Sequence, residues 1–144
     1  MFRFSNVYGP RQSSSSEGGI VSILIARLLN HEKPIIYGNG QQTRDFIFVS
    51  DIVDALVLAL KKPQNFTLNL GSNQPTKIIN LLNTLSKLMK VKPEFIKKPF
   101  RPMEIKDSLF DYLLANKTLS WQPKTSLTAG LYETINYFTS LKRS

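Results

Sequence analysis

The sequence predicts an α/β domain in which short strands alternate with helices. Three observations carry that prediction. Short runs rich in Phe, Val, Ile and Tyr end at Gly or Pro turn signals. Between them, apolar residues recur at helical spacing. The 144 residues, 42% hydrophobic and 20% charged, fit a single domain, with no internal repeat and no linker.

Taken in order, residues 2–8 read as a strand closed by Gly9-Pro10. A small-residue loop follows, from Ser13 to Ser16 and on through Glu17-Gly18-Gly19, and is expected to be mobile. Ile20, Ile23, Leu24, Arg27 and Leu28 then predict a helix from about Gly19 to Asn30. Ile35-Ile36-Tyr37 is a strand stopped by the tight turn Gly38-Asn39-Gly40. Phe46-Ile47-Phe48-Val49 is the next strand. Ser50 and Asp51 offer N-cap chemistry to a helix carrying Ile52, Val53, Leu56, Val57 and Leu60, which stops near Lys62-Pro63.

Phe66 to Leu70 reads as a strand ending at Gly71. Thr76 is placed to cap a third helix bearing Ile78, Ile79, Leu81, Leu82, Leu85, Leu88 and Met89. Pro93 to Lys98 is extended, and Phe100 to Glu104 is a loop. Asp111 can start a small helix toward Leu119, while Leu127, Leu131, Ile135 and Phe138 mark the last one. Trp121 is expected to anchor the last two helices against each other.

Composition excludes several chemistries. There is no cysteine, hence no disulfide and no thiolate nucleophile, and the single His31 cannot form a metal cluster. The longest apolar stretch, Ala55 to Leu60, falls far short of the ~20 residues of a membrane span. The amino end lacks the apolar core of a signal peptide. A soluble, cytoplasmic protein without a membrane partner is the expectation. The net charge is +9, and its excess lies in the second half. Residues 1–72 hold seven basic and five acidic side chains, and residues 73–144 hold twelve and five. A basic face attracts anions of many kinds. The lysines at 87, 90, 92, 97 and 98 lack the interleaved aromatics of a single-strand groove, Phe95 excepted, so nucleic acid is not the expected partner.

Catalytic signatures are missing too. Gly38-Asn39-Gly40 is the nearest approach to a dinucleotide-binding turn, but position 43 is Thr and no helix is predicted there. No Gly-Lys-Ser/Thr run exists. Four residues after each tyrosine stands Gln12, Gln41, Asn116, Asn136 or Leu141, so there is no Tyr-x-x-x-Lys base. His31, beside Glu32 and Lys33, reads as a surface residue. No catalytic residue and no metal ligand is assigned.

Several stretches taken together are specific. Arg3-Phe4-Ser5-Asn6-Val7-Tyr8-Gly9-Pro10-Arg11-Gln12 is followed by Pro34-Ile35-Ile36-Tyr37-Gly38-Asn39-Gly40 and by Gln42-Thr43-Arg44-Asp45-Phe46-Ile47-Phe48-Val49-Ser50-Asp51. Further on come Leu68-Asn69-Leu70-Gly71-Ser72, Arg101-Pro102-Met103-Glu104 and Leu119-Ser120-Trp121-Gln122-Pro123-Lys124-Thr125-Ser126-Leu127. In this order they resemble the carboxyl half of the NAD-dependent epimerase/dehydratase family, the extended short-chain dehydrogenases that act on nucleotide sugars. The closest likeness within it is to UDP-sugar 4-epimerases, and 4,6-dehydratases and UDP-glucuronate decarboxylases share many of the motifs.

The resemblance implies that residues 1–144 form a single nucleotide-sugar-binding domain, inactive alone, with the Rossmann nucleotide-binding half absent. Residues 1–8 would then be a strand of the missing cofactor sheet. NAD would serve the complete enzyme, and none would bind this chain alone. A cofactor-binding chain or a second copy is the implied protein partner, and a UDP-sugar the ligand. A basic polyanion-binding module or a non-catalytic interaction domain is the alternative from another class.

Site residues follow from the same resemblance. Arg44 and Arg101 stand at diphosphate-reaching positions, where the guanidinium fork can make paired bonds to phosphate oxygens. Their alternative is a surface ion pair with Asp45 or Glu104. Glu104 matches an acidic position that grips ribose hydroxyls, and is expected to face the sugar and not the phosphates. Asn6 matches an amide donor to phosphate or sugar, or else is a strand-ending turn residue. Tyr37 is placed near the base, whose edge the backbone at Ile35 can read; its alternative is a core aromatic. Gly19 and Ile20 offer helix-terminal N–H groups to the diphosphate. Two departures stand out: Ser5 replaces a common Phe beside the nicotinamide, and Asn39 replaces the usual Asp of its turn. At a later stretch Asp111 is kept, but Tyr112 and Leu113 replace small and basic residues.

Overall fold

The computed structural model describes residues 1–15, 18–62 and 64–143. Ser16 and Glu17 of the expected mobile loop, and Pro63 at the expected helix stop, lie outside the described residues. The chain forms β1 (Phe2–Phe4), β2 (Asn6–Tyr8), α1 (Ile20–Leu29), β3 (Ile35–Tyr37), β4 (Thr43–Phe48) and α2 (Val49–Leu60). It continues with β5 (Leu68–Leu70), β6 (Pro75–Lys77), α3 (Ile78–Leu88), β7 (Ile96–Lys98), α4 (Leu113–Leu119) and α5 (Leu127–Arg143). The alternation read from the sequence is present.

The first predicted strand is in fact two. β1 pairs in parallel with β5, and β2 pairs in parallel with β4, so the chain changes partner at Ser5. β4 also pairs antiparallel with β6, through Arg44 opposite Thr76, and β3 pairs in parallel with β7. β4 begins three residues earlier than its apolar run, because Thr43, Arg44 and Asp45 make that antiparallel pairing. Periodicity alone cannot announce a polar strand end paired to a strand far along the chain.

Two expected caps are not caps. Thr76 lies within β6, and α3 starts after Lys77 with no side-chain cap. Two of its amides find backbone partners instead: Ile78 N donates to Gln42 O at 3.1 Å and Ile79 N to Gly40 O at 2.9 Å. Backbone carbonyls from the distant connection between β3 and β4 thereby satisfy part of what a helix terminus leaves open. At α2 the residue before the helix is Phe48, and Asp51 sits inside the first turn. Its carboxylate is buried and accepts from Lys124 N at 3.2 Å, Thr125 N at 3.1 Å and Thr125 Oγ1 at 3.2 Å.

Two apolar clusters hold the fold. Helices α1, α3 and α5 pack with Tyr8, Phe46 and Phe48 of β2 and β4 in one. In the other, Ile52 and Ala55 of α2, Leu68 and Leu70 of β5, and Ala115 and Leu119 of α4 surround Trp121. Trp121 therefore ties the α4–α5 connection to α2, its Nε1 donating to Asp51 O at 2.9 Å, and does not wedge the last two helices together. The turn at 38–40 forms as expected, with Gly38 and Gly40 at φ of +68° and +71°. Asn39 Oδ1 accepts from Gln41 N at 3.1 Å, so Asn serves the turn as Asp would. No helix among the described residues is long and apolar enough to cross a membrane.

Candidate functional site

One cavity of about 450 Å³ gathers the expected site residues. That volume suits a small organic ligand. Its walls come from the start of α1, β3, β4, the first residue of α3 and the 101–104 loop. Asn6, Gly19, Ile20 and Ile35 line it, as do Tyr37, Arg44, Arg101 and Glu104. All eight residues named from the sequence, as much as 98 positions apart along the chain (Asn6 to Glu104), thus border one hollow. A wider opening of about 580 Å³ beside Asp54, Asn116 and Lys124 shows no such convergence of arginines.

Each side chain has a definite setting. Asn6 Nδ2 donates to Asp45 O at 3.1 Å, across the β2–β4 pair. Arg44 is half-buried and anchored by backbone: Nη1 donates to Thr43 O at 2.7 Å and to Lys106 O at 3.5 Å. Its Nη2 lies 3.5 Å from Glu104 Oε1. Glu104 pairs with Arg44, and neither Arg44–Asp45 nor Arg101–Glu104 forms among the described ion pairs. The carboxylate expected to face away from the phosphates therefore touches an arginine expected to bind them. At 3.5 Å the contact is long for a charge-assisted hydrogen bond, typically about 2.7–2.9 Å.

Arg101 lies over the Tyr37 ring, its guanidinium carbon 4.0 Å from the centroid. Tyr37 is half-buried on the cavity wall, so it is not a core aromatic. A hydrogen bond and the positive charge from Arg101 hold its hydroxyl below the ordinary tyrosine pKa. Gly19 precedes α1 in an extended conformation, and Ile23 N already returns to Gly19 O at 3.2 Å. The amides of the first turn have no intrahelical acceptor, as at any helix start.

Sequence reasoning missed three polar residues. Gln42, buried at 5% exposure, joins the wall and donates from Nε2 to Tyr37 O at 3.0 Å and Glu104 Oε1 at 3.4 Å. Arg27 of α1 adds a third guanidinium to the lining. Asp45, fully buried behind Arg44, accepts from Ser72 N at 2.9 Å, Ser72 Oγ at 2.5 Å, Asn73 N at 3.2 Å and Phe110 N at 3.1 Å. An acidic residue one step before an apolar strand run was the available signal for Asp45. Ser5 Oγ is buried where β1 gives way to β2, with no partner among the described residues. The lysines at 87, 90, 92, 97 and 98 are all exposed, as a solvated face requires, and His31 is exposed at the end of α1.

The model of the NAD dependent epimerase/dehydratase family matches residues 1–71. The UDP-glucose 4-epimerase of Mycolicibacterium smegmatis is 34% identical over 137 residues, covering 93% of this chain and 43% of that protein. The crystal structure of Thermotoga maritima UDP-glucose 4-epimerase with UDP-glucose superimposes with a TM-score of 0.95 at 37% identity, covering 98% of this chain and 46% of the other. A UDP-N-acetylglucosamine 4-epimerase from Methanobrevibacter ruminantium M1, in complex with UDP-N-acetylmuramic acid, gives 0.92 at 32% identity, over 97% and 46%. The chain spans under half the length of these relatives.

Proposed function

Since this chain belongs to the NAD-dependent epimerase/dehydratase family, we propose that it is the carboxyl-terminal, nucleotide-sugar-binding part of a UDP-sugar 4-epimerase. Proteins similar to it include UDP-sugar decarboxylases as well as 4-epimerases, so the family supports a UDP-sugar ligand more directly than one reaction. One observation carries the reading: Arg44 and Arg101 border the same hollow as Tyr37, Glu104 and the start of α1.

The roles follow from chemistry. Arg44 and Arg101 neutralise the diphosphate, aided by the amides of Gly19 and Ile20. Binding exchanges the long Arg44–Glu104 contact for shorter bonds to phosphate, and frees Glu104 to accept from ribose hydroxyls. Tyr37 and the backbone at Ile35 hold the base, with Arg101 moving from the ring face it covers. Asn6 donates its amide at the sugar end.

The residues described do not fit a dinucleotide. β3 ends in the Gly38-Asn39-Gly40 turn, but the chain then enters β4 and not a helix, and the α3 amides that do reach the turn are spent on the carbonyls of Gly40 and Gln42. NAD, where it serves the family, supplies hydride chemistry; the residues of this chain would position the sugar for it. This reading calls for a cofactor-binding part whose sheet β1 can extend. The backbone of Met1 and Ser5 bonds to β5, which turns the amides of Phe2 and Phe4 to the opposite, open edge of β1.

Calorimetric titration of UDP into the chain and into Arg44→Ala tests the clamp. Removing one charge-assisted anchor weakens binding at least about tenfold. Equal affinity in the two proteins would overturn it.

A further inference from the structure

We propose that Phe100 is a positioning residue: seated on the Gly38 turn, it fixes the pivot from which Arg101 swings between the Tyr37 ring and the phosphates of the ligand. The inference rests on the nucleotide reading above and adds to it a residue that does not touch the ligand. Phe100 is absent from the cavity lining, whereas its neighbour Arg101 lines the cavity together with Tyr37. Phe100 is 57% exposed, yet its ring is held against the turn. It occupies the space that a Cβ at Gly38 would need, so glycine alone admits it there.

Two adjacent contacts lock one register. Tyr37 and Gly38 stand in succession at the end of β3, and Phe100 and Arg101 in succession just after β7. Gly38 N donates to Lys98 O at 2.8 Å, which closes the β3–β7 pairing at that point. Phe100 then meets Gly38, and Arg101 meets Tyr37 with its guanidinium carbon 4.0 Å from the ring centroid.

The backbone around this pair is stiff. Pro99 and Pro102 flank it, and each proline fixes its own φ and disfavours helical geometry in the residue before it. Glu104 N donates to Arg101 O at 3.2 Å, which ties the far side of the loop. Arg101 can therefore change partner by rotating its side chain while its Cα stays in place. A guanidinium on a fixed Cα has less freedom to lose when it meets a phosphate, and binding is tighter for it. The ring of Phe100 is mostly in water, so its removal is read at Arg101 and not as unfolding.

The test follows the Tyr37 ring by isotope-edited NMR through a pH titration, and UDP affinity by calorimetry, in Phe100→Ala, Arg101→Ala and the double variant. With Phe100→Ala the Tyr37 midpoint is expected to rise toward its ordinary value near 10, because Arg101 no longer stays over the ring. UDP affinity is expected to fall about threefold or more, with the thermal midpoint near wild type. In the Arg101→Ala background, Phe100→Ala is expected to change neither quantity, the mark of a residue that acts through another. Phe100→Leu, which keeps an apolar side chain on Gly38, is expected to retain most of both. An unmoved Tyr37 midpoint in Phe100→Ala would overturn the pivot, and so would a shift that persists without Arg101. A moved midpoint with unchanged UDP affinity would overturn its link to the ligand. Wild-type chain that binds no UDP would overturn the nucleotide reading, while the Tyr37 titration still decides whether Phe100 holds Arg101.

Discussion

Asp45 and Tyr37 show how single residues carry this fold and its site. Asp45 is fully buried, and its oxygens accept from three backbone amides and one hydroxyl on segments 72–73 and 110. A carboxylate suits that place because it only accepts, whereas Asn would turn an NH₂ toward backbone N–H donors. Asp45→Asn is expected to cost about 2–3 kcal/mol, read as a lowered midpoint in urea. Tyr37 gives a second test. Arg101 favours its ionised form by hydrogen bond and charge, so Arg101→Ala should return the Tyr37 hydroxyl upward toward its ordinary value near 10. Isotope-edited NMR titration of the tyrosine ring would follow it, and an unmoved midpoint would show that the stack does not form. The sign for stability is definite. A depressed tyrosine pKa adds nothing at neutral pH, where both states are protonated, and contributes only as pH rises toward 10.

Among the elements, α5 shows packing overriding propensity. Gly130 sits in its second turn, where an added Cβ would meet the Tyr8 hydroxyl and the Phe48 ring. Tyr8 in turn donates to Leu127 O at 3.2 Å, and burial pushes its hydroxyl well above the ordinary tyrosine range. Helix propensity alone says that Gly130→Ala stabilises by about 1 kcal/mol. Overpacking against two buried rings reverses the sign, for a net loss of about 1–2 kcal/mol. Thermal unfolding of the variant decides, since a raised midpoint would mean that Tyr8 and Phe48 yield freely. The helix starts teach a similar lesson. Thr76 and Ser50 are good cap types by sequence, yet α3 uses the carbonyls of Gly40 and Gln42, and α2 begins before Ser50. A cap is a local motif only when no distant backbone supplies the acceptor first.

At the scale of the whole molecule, one side of the fold carries exposed apolar surface beside an open strand edge. Val53, Leu56, Val57 and Leu60 of α2 are 51%, 37%, 48% and 88% exposed, and Met1 and Phe4 are 67% and 45% exposed. Parallel strands normally have covered faces and paired edges. The isolated chain is therefore expected to self-associate in light scattering, and Val57→Glu with Leu60→Glu to return it toward monomer. As exposed substitutions, these should move stability by no more than about 0.5 kcal/mol each. A wild-type chain that stays monomeric would show that the stripe tolerates water.

The alternation of strands and helices, the Gly38-Asn39-Gly40 turn and the solvated lysines were legible in the sequence, because each depends on near neighbours: side-chain period, left-handed backbone, local charge. Eight candidate site residues were named through ordered motifs, and the tertiary structure sets them around a common hollow. Only tertiary structure could decide that Glu104 pairs with Arg44, that Arg101 covers Tyr37, or that Trp121 fastens to α2. It alone exposed Gln42 as a buried residue whose acceptor is unmet among the described residues. Those outcomes turn on which long-range groups arrive within hydrogen-bonding reach, and spacing along the chain carries no record of that.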